Sequence, residues 1–301
     1  VHRFQRDTLG SAIELGVDYL ALSFVRTAKD VAGLRRLIGR AGADTPIIAK
    51  IETPEAMANI ESIVQASDAI MVARGDLGIE MPAEQVPLIQ RELIRLGRRH
   101  NRAVIVATQM LESMIDHSRP TRAEVGDVAN AALTSADAVM LSAETASGQF
   151  PVRAVEMMDR VLREVEGYQW QQGSFLAGEP ASGDELDMRD GVANAAASLA
   201  HDLKLQGVII PTQSGTTARV ICSHRPTAPL IAVSTNESVC RRLTLNWGIV
   251  PMTASETEYG KWDALCSRIA RSCDLTRTGH NVLLVFLAIA GTLLALVVAQ
   301  T

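Results

Sequence analysis

Ile47-Ile48-Ala49-Lys50-Ile51-Glu52 and Ile70-Met71-Val72-Ala73-Arg74-Gly75-Asp76-Leu77-Gly78 decide the reading of this chain. Each is a short apolar run that ends abruptly in charge. A run of that length reads as a strand buried on both faces. Its closing charges then sit at the carboxyl rim of a parallel sheet, where such folds keep their chemistry. Lys50 and Glu52 are two apart on one strand, so their side chains point to the same side. Asp76 follows the next strand, whose rim lies beside theirs. Two carboxylates brought together repel unless a cation bridges them, and oxygen ligands suit magnesium or manganese. The competing reading pairs Glu52 and Asp76 with Lys50 and Arg74 as structural ion pairs. Gly75-Asp76-Leu77-Gly78 reads as a glycine-flanked turn whose N–H groups can hold a carboxylate or phosphate.

Working outward, strand-like runs recur at 19–24, 46–51, 69–73, 103–108 and 138–142. Amphipathic stretches separate them, such as 84–100 with Val86, Ile89, Leu93 and Leu96 at helical spacing. Pro82 falls at the expected start of that helix, where a missing N–H costs little. Every run ends in something polar: Ser23, Lys50 and Glu52, Arg74 and Asp76, Thr108 and Gln109, Ser142 and Glu144. Five such endings in succession argue that all carboxyl ends face one site, as in a (β/α)8 barrel. A closed barrel needs eight strands, so the expectation is a partial barrel. Thr108 is either an oxyanion contact on this rim or an ordinary strand-end cap. Pro120-Thr121-Arg122-Ala123-Glu124 reads as a helix start, with Thr121 and Glu124 forming a capping box.

The chain has 301 residues, enough for two domains. Its formal charge of −5 excludes a generally basic nucleic-acid binder. Hydrophobic residues make up 47% and aromatics only 4%, which suits an α/β protein with an aliphatic core. Cys222, Cys240, Cys266 and Cys273 show no metal-binding spacing and read as reduced thiols of a cytoplasmic protein. No secretory signal opens the chain, and its first residue, Val1, suggests a piece of something longer. The uncharged run 282–299 has the minimum length of a membrane span. Its Val and Leu content, central Gly291 and lack of a basic flank favour two strands, 282–286 and 293–298, instead.

The expected organisation is a partial catalytic barrel over 1–166, a linker over 167–189 rich in Gly, Ser, Gln and Pro, and a second α/β domain over 190–301. In the second domain helices at 191–203, 217–223, 237–245 and 259–273 alternate with strands at 207–211, 230–234 and near 248–250. That order suits a small open sheet. Thr212, Gln213, Ser214, Gly215, Thr216 and Thr217 form a hydroxyl-rich turn opening a helix. It reads as a phosphate cradle or as an ordinary capped turn.

Met71-Val-Ala-Arg-Gly-Asp-Leu-Gly78, Ala107-Thr-Gln-Met-Leu-Glu-Ser-Met114, Arg119-Pro-Thr-Arg-Ala-Glu124 and Asp127-Val-Ala-Asn-Ala131 follow one another in series. With Ile48-Ala-Lys-Ile-Glu52 and Met140-Leu-Ser-Ala-Glu-Thr145 they resemble the pyruvate kinase family over nearly the whole chain. The resemblance implies glycolytic phosphoryl transfer from phosphoenolpyruvate to ADP, giving pyruvate and ATP. It implies that Glu52 and Asp76 hold the divalent ion and that Lys50 lies beside the transferring group. Gly75 and Asp76 N–H groups, with the Thr108 hydroxyl, would fix the substrate carboxylate. Ser142 and Glu144 are candidates for the relay that protonates the enol carbon. The 212–217 turn resembles the family's loop for a sugar-phosphate activator, and the family assembles as homotetramers.

The chain also departs from the family pattern. The family's first three barrel strands and inserted lid domain have no counterpart, and the potassium site belongs to that front portion. The expectation is therefore a back portion of such an enzyme, inactive alone and prone to associate because an open sheet exposes edges and barrel-interior side chains. Alternatives are a magnesium-dependent barrel lyase or aldolase acting on pyruvate-like substrates, a non-catalytic regulatory or assembly fragment, and a protein anchored by its apolar tail.

Overall fold

A computed structural model of the chain describes residues 3–172, 188–275, 281–287 and 294–300. It divides into two compact units, Val1–Tyr168 and Gln169–Thr301. Part of the segment expected as a linker, 173–187, lies outside the described residues, as does the expected tail turn at 290–292.

The first unit runs α1 (Arg3–Glu14), β1 (Leu20–Leu22), α2 (Ala28–Arg40), β2 (Ile47–Ile51), α3 (Pro54–Ala58), α4 (Ile60–Ala66), β3 (Ala69–Ala73), α5 (Arg74–Glu80), α6 (Val86–Arg99), β4 (Ala103–Ala107), α7 (Arg122–Leu133), β5 (Ala138–Met140), α8 (Ala143–Ala146) and α9 (Pro151–Gln171). All five strands pair in parallel, in sequential order β1-β2-β3-β4-β5. Sequential parallel order with helical crossovers is the arc of a barrel, since a doubly wound sheet reverses direction partway. The partial (β/α)8 architecture expected from sequence is the one observed.

Alternation along the strands builds two faces. Ile47, Ala49, Ile51, Ile70, Val72, Val104 and Val106 join Val31, Ile38, Ile63, Val64, Leu93 and Ile94 of the covering helices in one core. The register places Lys50 beside Met71 and Met71 beside Ile105 on the opposite face. Apolar side chains of that face were expected to be exposed, yet Ile48, Met71 and Ile105 are only 7%, 6% and 6% accessible. Neighbouring strands of a twisted arc shield one another, and accessibility rises at the two edge strands, with Ala21 of β1 exposed and β5 half-buried throughout.

Several expected boundaries shift at the rim, each for a backbone reason. β1 stops at Leu22 because Phe24 turns to φ 53°, and β4 stops at Ala107 because Thr108 and Gln109 take φ 70° and 53°. Such residues leave the hydrogen-bonded ladder. The Arg74–Glu80 segment is a helix beginning directly at the end of β3, not the glycine-flanked turn expected, because buried Leu77 and Arg74 tie it down. Pro82 precedes a single 3-10 turn at Ala83–Gln85, and Pro87 takes the first turn of α6 in its place. Gly97 of α6 meets β4 closely: a Cβ there would lie 2.2 Å from Val104 Cγ2.

α7 opens on the expected capping box. Thr121 accepts from the Glu124 N–H at 3.3 Å, and Glu124 accepts from the Thr121 N–H at 2.7 Å. Glu124 also receives the N–H and the hydroxyl of Ser113, both at 2.6 Å. Burial disfavours its charge, but the bonds from Ser113 and Thr121 outweigh that and hold the carboxyl below its ordinary 4.5. A carboxyl depressed on folding stabilises above its ordinary value and loses that contribution as pH falls through the lower, folded value. Glu124→Gln is therefore expected to cost about 1–2 kcal/mol at neutral pH and to flatten the loss of stability below pH 4.5. Urea midpoints across that range check it; parallel curves for the two proteins would refute it.

The second unit runs α10 (Met188–Asp202), β6 (Gly207–Pro211), α11 (Thr216–Ser223), β7 (Leu230–Ser234), α12 (Glu237–Leu243), β8 (Ile249–Thr253), α13 (Trp262–Ser272), β9 (Asn281–Leu287) and β10 (Leu294–Gln300). Its sheet has the order β10-β9-β6-β7-β8, parallel except for the antiparallel β9–β10 pair. β8 begins at Ile249 and runs to Thr253, further than expected, because it pairs with β7 along its whole length. The apolar tail thus forms two strands. No helix among the described residues is long and apolar enough to cross a membrane.

Candidate active site

The rim of β2 is built first by Glu52. This carboxylate is 1% exposed, and Oε2 accepts the Phe24 N–H at 2.7 Å. The left-handed turn of Phe24 aims that N–H inward. Lys50 Nζ lies 2.5 Å from Glu52 Oε1 and donates to Ser23 Oγ at 3.0 Å. Ser23 continues β1 beside Lys50, because Leu22 pairs with Ala49. Beyond this ion pair with Lys50, Oε1 has no other partner among the described residues.

The next strands supply a second cluster. Arg74, 8% exposed, donates from Nε and Nη2 to the Thr108 carbonyl at 3.2 and 3.0 Å and from Nη2 to the Gln109 carbonyl at 2.6 Å. Its Nη1 lies 3.3 Å from Asp127 Oδ2 on α7. Arg74 therefore pairs with Asp127, whereas the structural reading of the sequence gave it Asp76. Asp76 sits in the first turn of α5, and among the described residues its carboxylate is in no ion pair. The Gly75 N–H donates to Thr108 Oγ1 at 2.7 Å, and that hydroxyl donates to the Ala107 carbonyl at 2.6 Å. Gly75 and Thr108 thus bond each other, and a substrate carboxylate would compete for the hydroxyl.

Beyond β5, Glu144 is 3% exposed and accepts from the N–H groups of Ser142 at 2.7 Å and Leu111 at 3.3 Å. Glu144 thereby joins the segment after β4 to the one after β5, and Ser142 is held through its backbone.

The donor set suits a hard divalent cation. Glu52 offers a buried carboxylate whose Oε1 meets only the Lys50 ammonium, Asp76 a carboxylate in no ion pair among the described residues on the adjoining strand end, and both are oxygen ligands. No group of three or more Asp, Glu, His or Cys converges among the described residues. The remaining coordination positions would fall to substrate and water.

In the second unit, Thr212 is buried and its Oγ1 accepts the Gly215 N–H at 3.0 Å. Gly215 takes φ 79°, which only glycine adopts freely, and delivers the chain into α11. Ser214 Oγ and Thr216 Oγ1 are 3.0 Å apart, and Arg219 Nη2 donates to Thr216 Oγ1 at 3.2 Å. Gln213 hydrogen-bonds the Tyr259 hydroxyl, whose ionisation burial pushes up. Thr217 is buried, so the exposed polar face of the loop comes from Gln213, Ser214 and Thr216. All four cysteines are free thiols, and burial pushes Cys240, Cys266 and Cys273 upward.

A parallel (β/α) arc with its charged residues on the carboxyl-terminal rim, followed by a small α/β unit, belongs to the barrel enzymes. The family model "Pyruvate kinase, barrel domain" matches residues 4–155, and "Pyruvate kinase, alpha/beta domain" matches 190–291. The chain belongs to the pyruvate kinase family. It is 48% identical over 252 residues to a pyruvate kinase of Agrobacterium vitis, covering 83% of this chain and 51% of the relative. It is 46% identical over 238 residues to that of Geobacillus stearothermophilus, covering 79% and 40%. A solved pyruvate kinase from Cryptosporidium parvum superimposes with a TM-score of 0.92 at 34% identity, covering 99% of this chain and 62% of that one. The chain thus spans about half the length of the curated relatives it matches.

The sequence gives roles to Lys50, Glu52, Gly75, Asp76, Thr108 and Ser142; it places Ser23 and Arg74 on the rim without a role in the site and is silent on the Phe24 N–H and on Asp127 as the partner of Arg74. Ser23 carried a signal, a hydroxyl at the end of β1. The backbone turn at Phe24 carried none.

Proposed function

We propose that these residues form part of a catalytic site for phosphoryl transfer from phosphoenolpyruvate to ADP. One observation supports the reading most: the buried Glu52 carboxylate ion-paired to Lys50 at the end of β2, inside a family match that spans both units. The phosphorus–oxygen bond to the enol breaks as one forms to the terminal ADP phosphate, and the enolate left behind takes a proton on carbon. Lys50, held by Ser23 and Glu52, places a fixed positive charge beside the transferring group and the enolate oxygen. Glu52 and Asp76 would hold magnesium or manganese, which when bound supplies further positive charge against the substrate oxygens. The Asp76 N–H and the Thr108 hydroxyl orient the substrate carboxylate. Ser142, fixed by Glu144, stands for the proton relay.

The same reading extends to properties of the family. It gives a potassium site in the portion of the relatives this chain does not span, a homotetramer, a cytoplasmic location and a sugar-phosphate ligand at 212–217. The test is a coupled assay of pyruvate formation by a restored chain, in which the front portion of the Geobacillus stearothermophilus relative precedes these residues. Pyruvate formation that requires ADP supports the reading. Cleavage of a pyruvate aldol without ADP would favour the lyase alternative and contradict it.

A further inference from the structure

We propose that Arg74 is a positioning residue: it locks the exit of β4 in a left-handed conformation that presents the Thr108 hydroxyl at the rim. This inference rests on the phosphoryl-transfer reading. Thr108 and Gln109 are consecutive non-glycine residues at φ 70° and 53°. For a β-branched residue that conformation is a genuine outlier, which persists only where the surroundings over-determine it.

Arg74 supplies the determination. Its three guanidinium nitrogens are all engaged, Nε and Nη2 on the Thr108 and Gln109 carbonyls and Nη1 on Asp127. The planar fork reads two carbonyl groups that face one way only while the backbone is left-handed. The Gly75 N–H holds Thr108 from its side-chain end at 2.7 Å. Because Gly75 directly follows Arg74, α5 grips the residue at both its carbonyl and its hydroxyl. Asp127 fixes the guanidinium from α7. Lysine could not replace this, being a point charge that cannot span the same acceptors.

Arg74→Lys in the restored chain is expected to lower kcat for pyruvate formation about a hundredfold, the scale of an ångström-sized misplacement, with the KM for ADP little changed. A Gln109→Gly background removes one of the two conformational costs, so there the same substitution should cost less than about tenfold. A merely structural arginine would cost the same in both backgrounds, and that equality would overturn the inference. A crystal structure of Arg74→Lys gives a reading independent of activity: Thr108 should return to negative φ, and its persistence near 70° overturns the clamp. If the restored wild type formed no pyruvate, the function would fail while this structure still decided the clamp. Should Arg74→Lys not fold, Asp127→Asn keeps the shape and should lower kcat about three- to tenfold; an unchanged kcat would overturn the inference.

Discussion

Lys50→Met in the restored chain is expected to lower kcat for pyruvate formation by about a hundred- to a thousandfold, the worth of one preorganised group at a developing oxyanion. Methionine keeps most of the side-chain length and removes the charge. Lys50 faces the sheet's inner side with Met71 as its register partner, so the apolar stem keeps its packing. Two consequences separate loss of chemistry from loss of fold. Ser23→Ala removes the 3.0 Å bond that orients Nζ but leaves the charge, and should cost less than about tenfold. Lys50→Met also leaves the buried Glu52 carboxylate without its cation. The substitution should therefore lower stability as well, by about 1–3 kcal/mol, because a buried charge stripped of its partner is costly. A kcat within about tenfold of wild type would remove Lys50 from the reaction.

The second large effect concerns the carboxylates. Asp76→Ala in the restored chain should weaken Mn2+ binding by at least about tenfold and lower kcat by about a thousandfold, from loss of a ligand to the charge-neutralising cation. Glu52→Gln should act differently. Its Oε2 accepts from the Phe24 N–H and its Oε1 faces Lys50. The amide oxygen can keep the bond to Phe24, but the charge that attracts both Lys50 and the cation is gone. Mn2+ affinity should fall with Lys50 displaced toward Ser23. Mn2+ titration followed by electron paramagnetic resonance reads both variants without any turnover. Unaltered Mn2+ binding in Asp76→Ala and Glu52→Gln would place the cation elsewhere.

What the sequence made legible was the interior of each strand. β3, β6 and β7 have the bounds read from their apolar runs, because strands buried on both faces are uniformly apolar and break sharply at Asp, Gly or Ser. The sequential order followed from strand–helix alternation, and the rim from the polar residue closing each run. The rim backbone was not legible. Phe24, Thr108 and Gln109 adopt positive φ, and none is a residue type that announces it. Their conformations are imposed by distant partners, Glu52 for Phe24 and Arg74 for the other two. The same holds for Arg74 with Asp127, which lie on α5 and α7, far apart in sequence, and meet only in the tertiary structure. Gly75-Asp76-Leu77-Gly78 reads as a turn because a glycine stands at each end of it. Buried Leu77 and the anchored arginine make it a helix instead.

The family's sequence signature, the five-stranded arc and the Lys50–Glu52 rim all support the proposed reading, in which these residues carry one side of a pyruvate-forming phosphotransfer site and further barrel units carry the other. The most direct measurement is pyruvate formation from phosphoenolpyruvate and ADP, assayed side by side for the 301-residue polypeptide and the restored chain. The account predicts turnover by the restored chain at about 1–1000 per second, the ordinary range for enzymes, and none above background for the polypeptide alone. Robust turnover by the polypeptide alone, or none by a folded restored chain, would contradict it.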